Sequence, residues 1–345
     1  MKVGIMGATG FTGAELVRIL LQHPEVELAF VDSRTYENQQ FDEVYPNLKD
    51  HATMKAQSVD PENLPEDVDL VFCALPHRVS QNKVIPMHEK GMKIVDLSAD
   101  FRLKDQQTYE TWYQTEHQQP ALLKKSVYGL PEWYEDELKI ATLTANPGCF
   151  PTSILLPLLP LIKEDLVDGK HLVVNSNTGI SGAGRKPSPV NLFSQVNENV
   201  RAYGIGTHRH TPEIEQELSL ASGQDITLQF TPHLVPMDRG ILSTIVTPAV
   251  TGITTEKVKE CYHSYYGSKP FIRLLSEDAL PETKAVRGSN FCDIAWRVDE
   301  RSGNLILVAA IDNLIKGSSG EAVQNMNLML GMPEDTGLHH LPIWP

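Results

Sequence analysis

Between Val3 and Leu21 the chain reads as a short apolar strand, a glycine turn and an amphipathic helix, and few folds accommodate that succession. Val3-Gly4-Ile5-Met6 has the unbroken apolar character of a strand buried on both faces. Gly7-Ala8-Thr9-Gly10-Phe11-Thr12-Gly13 follows, after which Leu16, Ile19 and Leu20 recur at helical spacing until His23-Pro24 ends the helix. Glycines let a backbone close on a pyrophosphate, while a helix N-terminus offers N–H donors and the positive end of a dipole. A dinucleotide-binding unit is therefore expected, with Gly7, Thr9, Gly10, Phe11, Thr12 and Gly13 around the phosphates. The spacing is GxxGxxG, which a tight turn without a ligand can also adopt.

A second strand, Val26 to Val31, ends in Asp32-Ser33-Arg34, where a dinucleotide's adenosine ribose is read. Asp32 suits the ribose hydroxyls of NAD, whereas Ser33 and Arg34 suit a 2′-phosphate. NADP(H) is favoured on account of Arg34, with a merely solvated arginine as the alternative. Strands at Val68 to Cys73 and Lys93 to Leu97, with a helix at Ser80 to Lys90 between them, continue the alternation into Ser98-Ala99-Asp100-Phe101-Arg102. The pattern predicts an α/β fold, a Rossmann-type doubly wound parallel sheet. Residues 103–140 mix polar and aromatic side chains without a clear period; Tyr128 to Glu132 reads as a loop and Ile140 to Thr144 as the strand that leads to Asn146.

Asn146-Pro147-Gly148-Cys149-Phe150-Pro151-Thr152 then places a thiol between a Pro-Gly turn and an apolar run, Ser153 to Ile162. A cysteine where a loop enters a helix is either a small buried hydrophobe or a nucleophile whose thiolate the helix N-terminus favours. Farther on, a strand at His171 to Thr178 runs into a glycine loop with two cations, Gly179 to Lys186. His208-Arg209-His210 precedes Thr211-Pro212, read as an N-cap followed by proline at the first helical position. Two histidines two apart can ligate a metal, but no acidic third ligand accompanies them, and no metal is expected. As a proton donor and acceptor a histidine complements a thiol nucleophile. Alternating strands at Ile226 to Phe230, Gly240 to Val246 and Leu305 to Ala310, and a helix at Thr255 to Tyr265, predict an α+β second domain with a mixed, largely antiparallel sheet. A last amphipathic helix spans Ser319 to Leu330, with Ala322, Met326 and Met329 on one side.

The 345 residues exceed what one core usually holds. A formal charge of -14 argues against nucleic acid or an anionic membrane as partner. Four scattered cysteines suggest reduced thiols in the cytoplasm, and no apolar stretch approaches a membrane span.

GATGFTG at 7–13, SADFRL at 98–103, YGLPE at 128–132, NPGCFPT at 146–152, SGAGR at 181–185, HRHTPEIEQ at 208–216, PHLVPMDRG at 232–240 and DNLIKGSSGEAVQNMN at 312–327 fall in order along almost the whole chain. In these the chain closely resembles the N-acetyl-γ-glutamyl-phosphate reductases of arginine biosynthesis, relatives of the aspartate-semialdehyde dehydrogenases. The resemblance implies an NADP-binding domain of residues 1–148 completed by 318–345, and a catalytic and oligomerisation domain of 149–317, in a homodimer or homotetramer. It implies Cys149 as nucleophile, His210 as acid/base, and NADPH-dependent reduction of N-acetyl-γ-glutamyl phosphate through a cysteinyl thioester. It adds Ser181, Gly182 and Asn313 to the cofactor residues, and makes Arg102, Asn146, Arg185, His208 and Glu213 the substrate contacts. Asp32 departs from the uncharged residue expected at its position.

Overall fold

The computed structural model describes residues 1–344 and divides the chain into two compact units. One comprises Met1–Gly148 with Ser318–His339, the other Cys149–Gly317 with the residues from His340 onward.

The first unit is built on a six-stranded sheet of β1 (Lys2–Met6), β2 (Glu27–Val31), β3 (Leu70–Cys73), β4 (Lys93–Asp96), β5 (Val127–Tyr128) and β6 (Leu143–Ala145). The order is β2-β1-β3-β4-β6-β5 and every neighbouring pair is parallel. All four residues of β3 are buried, as a sheet covered on both faces requires. The order reverses at β1, which pairs β2 on one side and β3 on the other, so the ligand crevice of such a sheet lies at the end of β1.

The stretch 103–140, unreadable by period, folds as three short helices whose ends carry the information. Asp105 caps Gln106–Tyr113 by accepting the Thr108 N–H at 2.7 Å, and prolines begin Pro120–Lys125 and Pro131–Lys139. Tyr128 to Glu132 is thus not a loop but the end of β5 and the start of a helix. The strand expected at Ile140 begins instead at Leu143, Ile140 being the exposed C-cap of the preceding helix. The C-terminal helix Gly320–Met329 is buried on every side rather than amphipathic. Its polar side chains are accommodated by hydrogen bonds within the unit: Gln324 donates to Glu132, and Asn327 donates to the carbonyls of Glu334 and Thr336.

The second unit holds β7 (Leu172–Thr178), β8 (Arg201–Ala202), β9 (Leu228–Leu234), β10 (Ile241–Pro248), β11 (Ile272–Leu274), β12 (Cys292–Asp299) and β13 (Asn304–Ile311) in the order β11-β12-β13-β10-β7-β9-β8. The β7–β9 and β11–β12 pairs are parallel and the others antiparallel. In β10 the alternate residues Ile241, Ser243, Ile245 and Thr247 are buried, the period of a sheet with one covered face.

The helix Cys149–Lys163 is apolar and buried along Phe150 to Ile162 although Pro157 and Pro160 lie inside it. Proline lacks the N–H that would reach the carbonyl four residues back, so Pro160 leaves Leu156 O without that helical donor. The Tyr266 hydroxyl donates to Leu156 O at 2.6 Å, replacing it from another helix, Thr255–Tyr266. A chain of buried hydroxyls, Ser153 to Ser243 at 2.7 Å and Ser243 to Ser176 at 2.7 Å, ties the first turns of the cysteine helix to β10 and β7.

Candidate active site

In the first unit the glycine turn joins β1 to the helix Phe11–Leu20, with Gly10 as N-cap. Gly7 has φ +75°, a left-handed conformation that favours glycine. A Cβ on Gly13 would stand 2.5 Å from Gly7 O and 2.6 Å from Ala8 Cα, so only glycine allows the helix to pack this closely on the turn. These are the demands of a pyrophosphate turn, and the residues fit a dinucleotide.

Asp32, Ser33 and Arg34 are held in different ways. Asp32 is buried, Oδ2 accepting the Gly7 N–H at 3.2 Å and Oδ1 the Val59 N–H at 2.9 Å. Its carboxylate braces the glycine turn. Ser33 Oγ lies 2.7 Å from Thr9 Oγ1 and accepts the Tyr36 N–H at 3.3 Å, while Arg34 is exposed. Thr12 accepts from Ser319 Oγ through its carbonyl at 2.9 Å, which binds the start of the C-terminal helix to the turn.

Arg102 and Asn146, expected at the substrate, are both buried in this unit. Arg102 donates Nε–H to Asn146 O at 2.7 Å and Nη2–H to Leu97 O at 2.9 Å; Asn146 donates its N–H to Asp96 O at 2.8 Å and its Nδ2–H to Ser318 O at 3.1 Å. Both side chains shape the turn that leads to the thiol.

In the second unit Cys149 is the first residue of its helix and partly exposed, whereas Cys73, Cys261 and Cys292 are buried. A helix N-terminus of this kind presents N–H donors that favour a thiolate over a thiol. The adjacent Phe150 packs edge-to-face on both histidines, with ring centroids 5.4 Å from His208 and 5.9 Å from His210. The residue that follows Cys149 thus touches both histidines through one aromatic ring. Gly317 closes in from another side, since a Cβ there would lie 2.8 Å from Cys149 Cβ.

The helix Thr211–Ser222 starts one residue earlier than its capping pattern implied, with His210 as N-cap and Thr211 the first helical residue. His208 Nδ1 accepts the His210 N–H at 3.1 Å, which fixes that turn. The His208 ring packs against Phe230, Tyr203 and His210 at centroid distances of 5.3, 5.5 and 4.9 Å. Burial, with a smaller contribution from Arg209, lowers its pKa from 6.5 to about 4, so it is a neutral acceptor at neutral pH. The Tyr203 phenol is pushed upward by burial and then by the charge of nearby Cys149. No sequence signal marked Tyr203 or Phe230 beforehand; Tyr203 stands five residues before His208, and Phe230 arrives from β9.

Of the remaining expected residues, Asn313 and Ser181 meet: Asn313 Nδ2 donates to Ser181 Oγ at 3.0 Å, and Asn313 Oδ1 accepts the Gly240 N–H at 2.7 Å. Gly182 is exposed, Arg185 half-buried and Glu213 buried. All of these belong to the second unit, the glycine turn to the first. Among the described residues no group of three or more His, Cys, Asp or Glu could hold a metal ion, and no helix is long and apolar enough to cross a membrane.

One unit with a dinucleotide-type sheet and another with a thiol and a histidine pair define the class, and two family models agree with it: semialdehyde dehydrogenase, NAD binding domain, over residues 2–141, and semialdehyde dehydrogenase, dimerisation domain, over residues 149–313. Solved structures show the same fold. An aspartate semialdehyde dehydrogenase II from Vibrio cholerae superposes with a TM-score of 0.72 at 19% identity, covering 96% of this chain and 98% of that one. An aspartate semialdehyde dehydrogenase with NADP from Candida albicans superposes with a TM-score of 0.68 at 17% identity, covering 95% and 98%. Full-length relatives are closer in sequence. The N-acetyl-gamma-glutamyl-phosphate reductase of Alkaliphilus metalliredigens is 54% identical over 345 residues, 100% of both chains, and that of Syntrophobacter fumaroxidans is 48% identical over the same span. The chain belongs to the N-acetyl-gamma-glutamyl-phosphate reductase family, and its first unit is a nicotinamide-dinucleotide-binding domain.

Proposed function

We propose that this chain reduces N-acetyl-γ-glutamyl phosphate to N-acetyl-glutamate 5-semialdehyde with release of phosphate, a step of arginine biosynthesis, through a thioester on Cys149. The observation that carries the reading is the partly exposed thiol at a helix N-terminus, packed through Phe150 against the His208–His210 turn, in a chain aligned end to end with reductases of that name.

Cys149 Sγ attacks the acyl carbon, the C–O bond to phosphate breaks, and phosphate leaves with its electron pair. The helix N-terminus favours the thiolate that begins this step. NADPH, when bound, supplies the hydride. His210 gives a proton to the carbonyl oxygen as that oxygen takes up negative charge, and recovers it as the C–S bond breaks to free the aldehyde. Neutral His208 positions His210 by accepting its N–H. Arg185 and Glu213 are assigned to the substrate's charged and amide groups, and Arg102 and Asn146 to the frame of the turn. Ser181, Gly182 and Asn313 are assigned to the cofactor.

NADP is preferred over NAD in this reading because the Asp32 carboxylate is engaged by the Gly7 and Val59 N–H groups, while Ser33, paired with Thr9, and exposed Arg34 remain to receive a 2′-phosphate. The description of the second family model supports a homo-oligomer, a dimer or tetramer, and a cytoplasmic location is proposed with it.

The test is the reverse reaction, phosphate-dependent reduction of NADP by N-acetyl-glutamate 5-semialdehyde, run beside NAD and beside aspartate semialdehyde. Faster turnover with the N-acetylated aldehyde and NADP is expected. Equal or better turnover with aspartate semialdehyde refutes the substrate assignment.

A further inference from the structure

The mechanism uses Cys149 but leaves open how the residues before it are held. Asn146 is fully buried, and its backbone and side-chain amides are both committed: its N–H to Asp96 O, its carbonyl to Arg102, and its Nδ2 to Ser318 O. The remaining atom, Oδ1, accepts from Asn325 Nδ2 at 2.9 Å. Asn325 lies on the C-terminal helix, 179 residues away in sequence, and its second Nδ2 proton goes to Gly129 O at 2.8 Å. Packing there is tight, since a Cβ on Gly129 would stand 2.5 Å from Asn325 Nδ2.

We propose that Asn325 is a positioning residue for the nucleophile: its amide clamps Asn146 and thereby fixes the Pro147-Gly148 turn from which Cys149 enters its helix. Three observations carry this. Both Nδ2 protons are used on the two segments flanking the turn's approach, the carbonyl of Gly129 and the side chain of Asn146. Asn325 is fully buried and its Oδ1 has no hydrogen-bond partner among the described residues, so its amide is held through its two donors. What an asparagine supplies here is a directed pair of donors to two buried acceptors. The hydrogen-bond pattern also fixes which end of the amide is which, because Gly129 O and Asn146 Oδ1 both require donors once Asn146 Nδ2 is given to Ser318 O.

The inference rests on Cys149 being the nucleophile, so the decisive readout is independent of turnover. In the full-length protein, alkylation of Cys149 by iodoacetamide is followed by peptide mass spectrometry from pH 5 to 10 for wild type, Asn325→Ala and Asn325→Ser. Val323→Ala, a buried position on the same helix, is the stability control. The Asn325 variants are expected to move the alkylation midpoint and to change the rate at pH 7 by at least about fivefold. Turnover falls roughly 10- to 100-fold, as displacement of a reacting group by a fraction of an ångström to 1 Å implies, with NADP affinity within about twofold of wild type. Val323→Ala is expected to lower the melting temperature and leave the alkylation profile in place. Asn146→Ser should reproduce the Asn325 effect, and the double variant should be no worse than either single one. Where Asn325→Ala does not fold, Asn325→Ser and Asn146→Ser decide. A wild-type alkylation profile in the Asn325 variants, an equal shift in Val323→Ala, or additive effects in the double variant overturns the proposal. Retained turnover in Cys149→Ser would instead refute the covalent mechanism and leave the clamp to be judged by alkylation alone.

Discussion

Replacing Gly317 by alanine is the most economical way to disturb the thiol without touching its chemistry. The added methyl would lie 2.8 Å from Cys149 Cβ, 3.1 Å from Cys149 Cα and 3.1 Å from Ile311 Cδ1. Carbon atoms rest about 3.5–4.0 Å apart, so the cysteine contact is short by at least about 0.7 Å. Ile311 can yield by a rotamer adjustment, but Cys149 Cα is backbone at the start of a buried helix and moves only with its turn. Overpacking of this kind costs about 1–3 kcal/mol, which the fold should survive. A shift of about 1 Å in a reacting group is worth about 100-fold in rate, so kcat should fall roughly 10- to 100-fold. The assay is steady-state NADP reduction in the reverse direction, with melting temperature and NADP affinity measured on the same preparation. A folded Gly317→Ala protein with wild-type kcat would refute the view that this close approach sets the position of the sulfur.

Cys149→Ser should abolish turnover while leaving NADP affinity intact, measured by stopped assay and by fluorescence titration. Arg34→Ala should weaken NADP by roughly 10- to 100-fold, the worth of a hydrogen bond to a charged group, and leave NAD unchanged; equal losses for both nucleotides would remove Arg34 from the phosphate site. Tyr266→Phe should destabilise the protein by about 1–3 kcal/mol, because Leu156 O beside Pro160 loses its donor in a buried helix, read as a shift in the urea midpoint. His208, with a folded pKa near 4 against 6.5 unfolded, favours the folded state above pH 6.5, and that contribution is lost as pH falls toward 4. It amounts to at most roughly 3 kcal/mol, and replacing His208 with glutamine should flatten this part of the stability–pH curve.

Features written in neighbouring residues were legible in the sequence. The glycine turn, the Cys149 helix and the His208–His210 turn each depend on backbone conformation and helix ends, which local residues dictate. The sheet with parallel strands followed from the same alternation. What the sequence concealed depends on distant partners. That Asp32 accepts from Val59, 27 residues on, is written in no local pattern. The C-terminal helix shows only an apolar stripe until Gln324, Asn325 and Asn327 are found bonded to buried groups. Residues 103–140 form helices too short for a period, their limits marked by Asp105, Pro120 and Pro131. Tyr203 and Phe230 reach the histidines from separate strands and turns, and no spacing rule connects them.

The division of the chain bears on how it is made as well as on what it does. The first unit takes its last core helix from residues that follow the second unit, so that unit cannot complete its core until nearly the whole chain has left the ribosome. The second unit, apart from the residues from His340 onward, is an insertion from Cys149 to Gly317, and those two end residues touch. An insertion whose ends already meet imposes little further loop-closure entropy on its host once it has folded. Folding of the inserted unit before the last helix arrives would convert a long tether into a short staple. The residue assigned to the chemistry stands at that staple, and its geometry is therefore complete only in a fully synthesised chain.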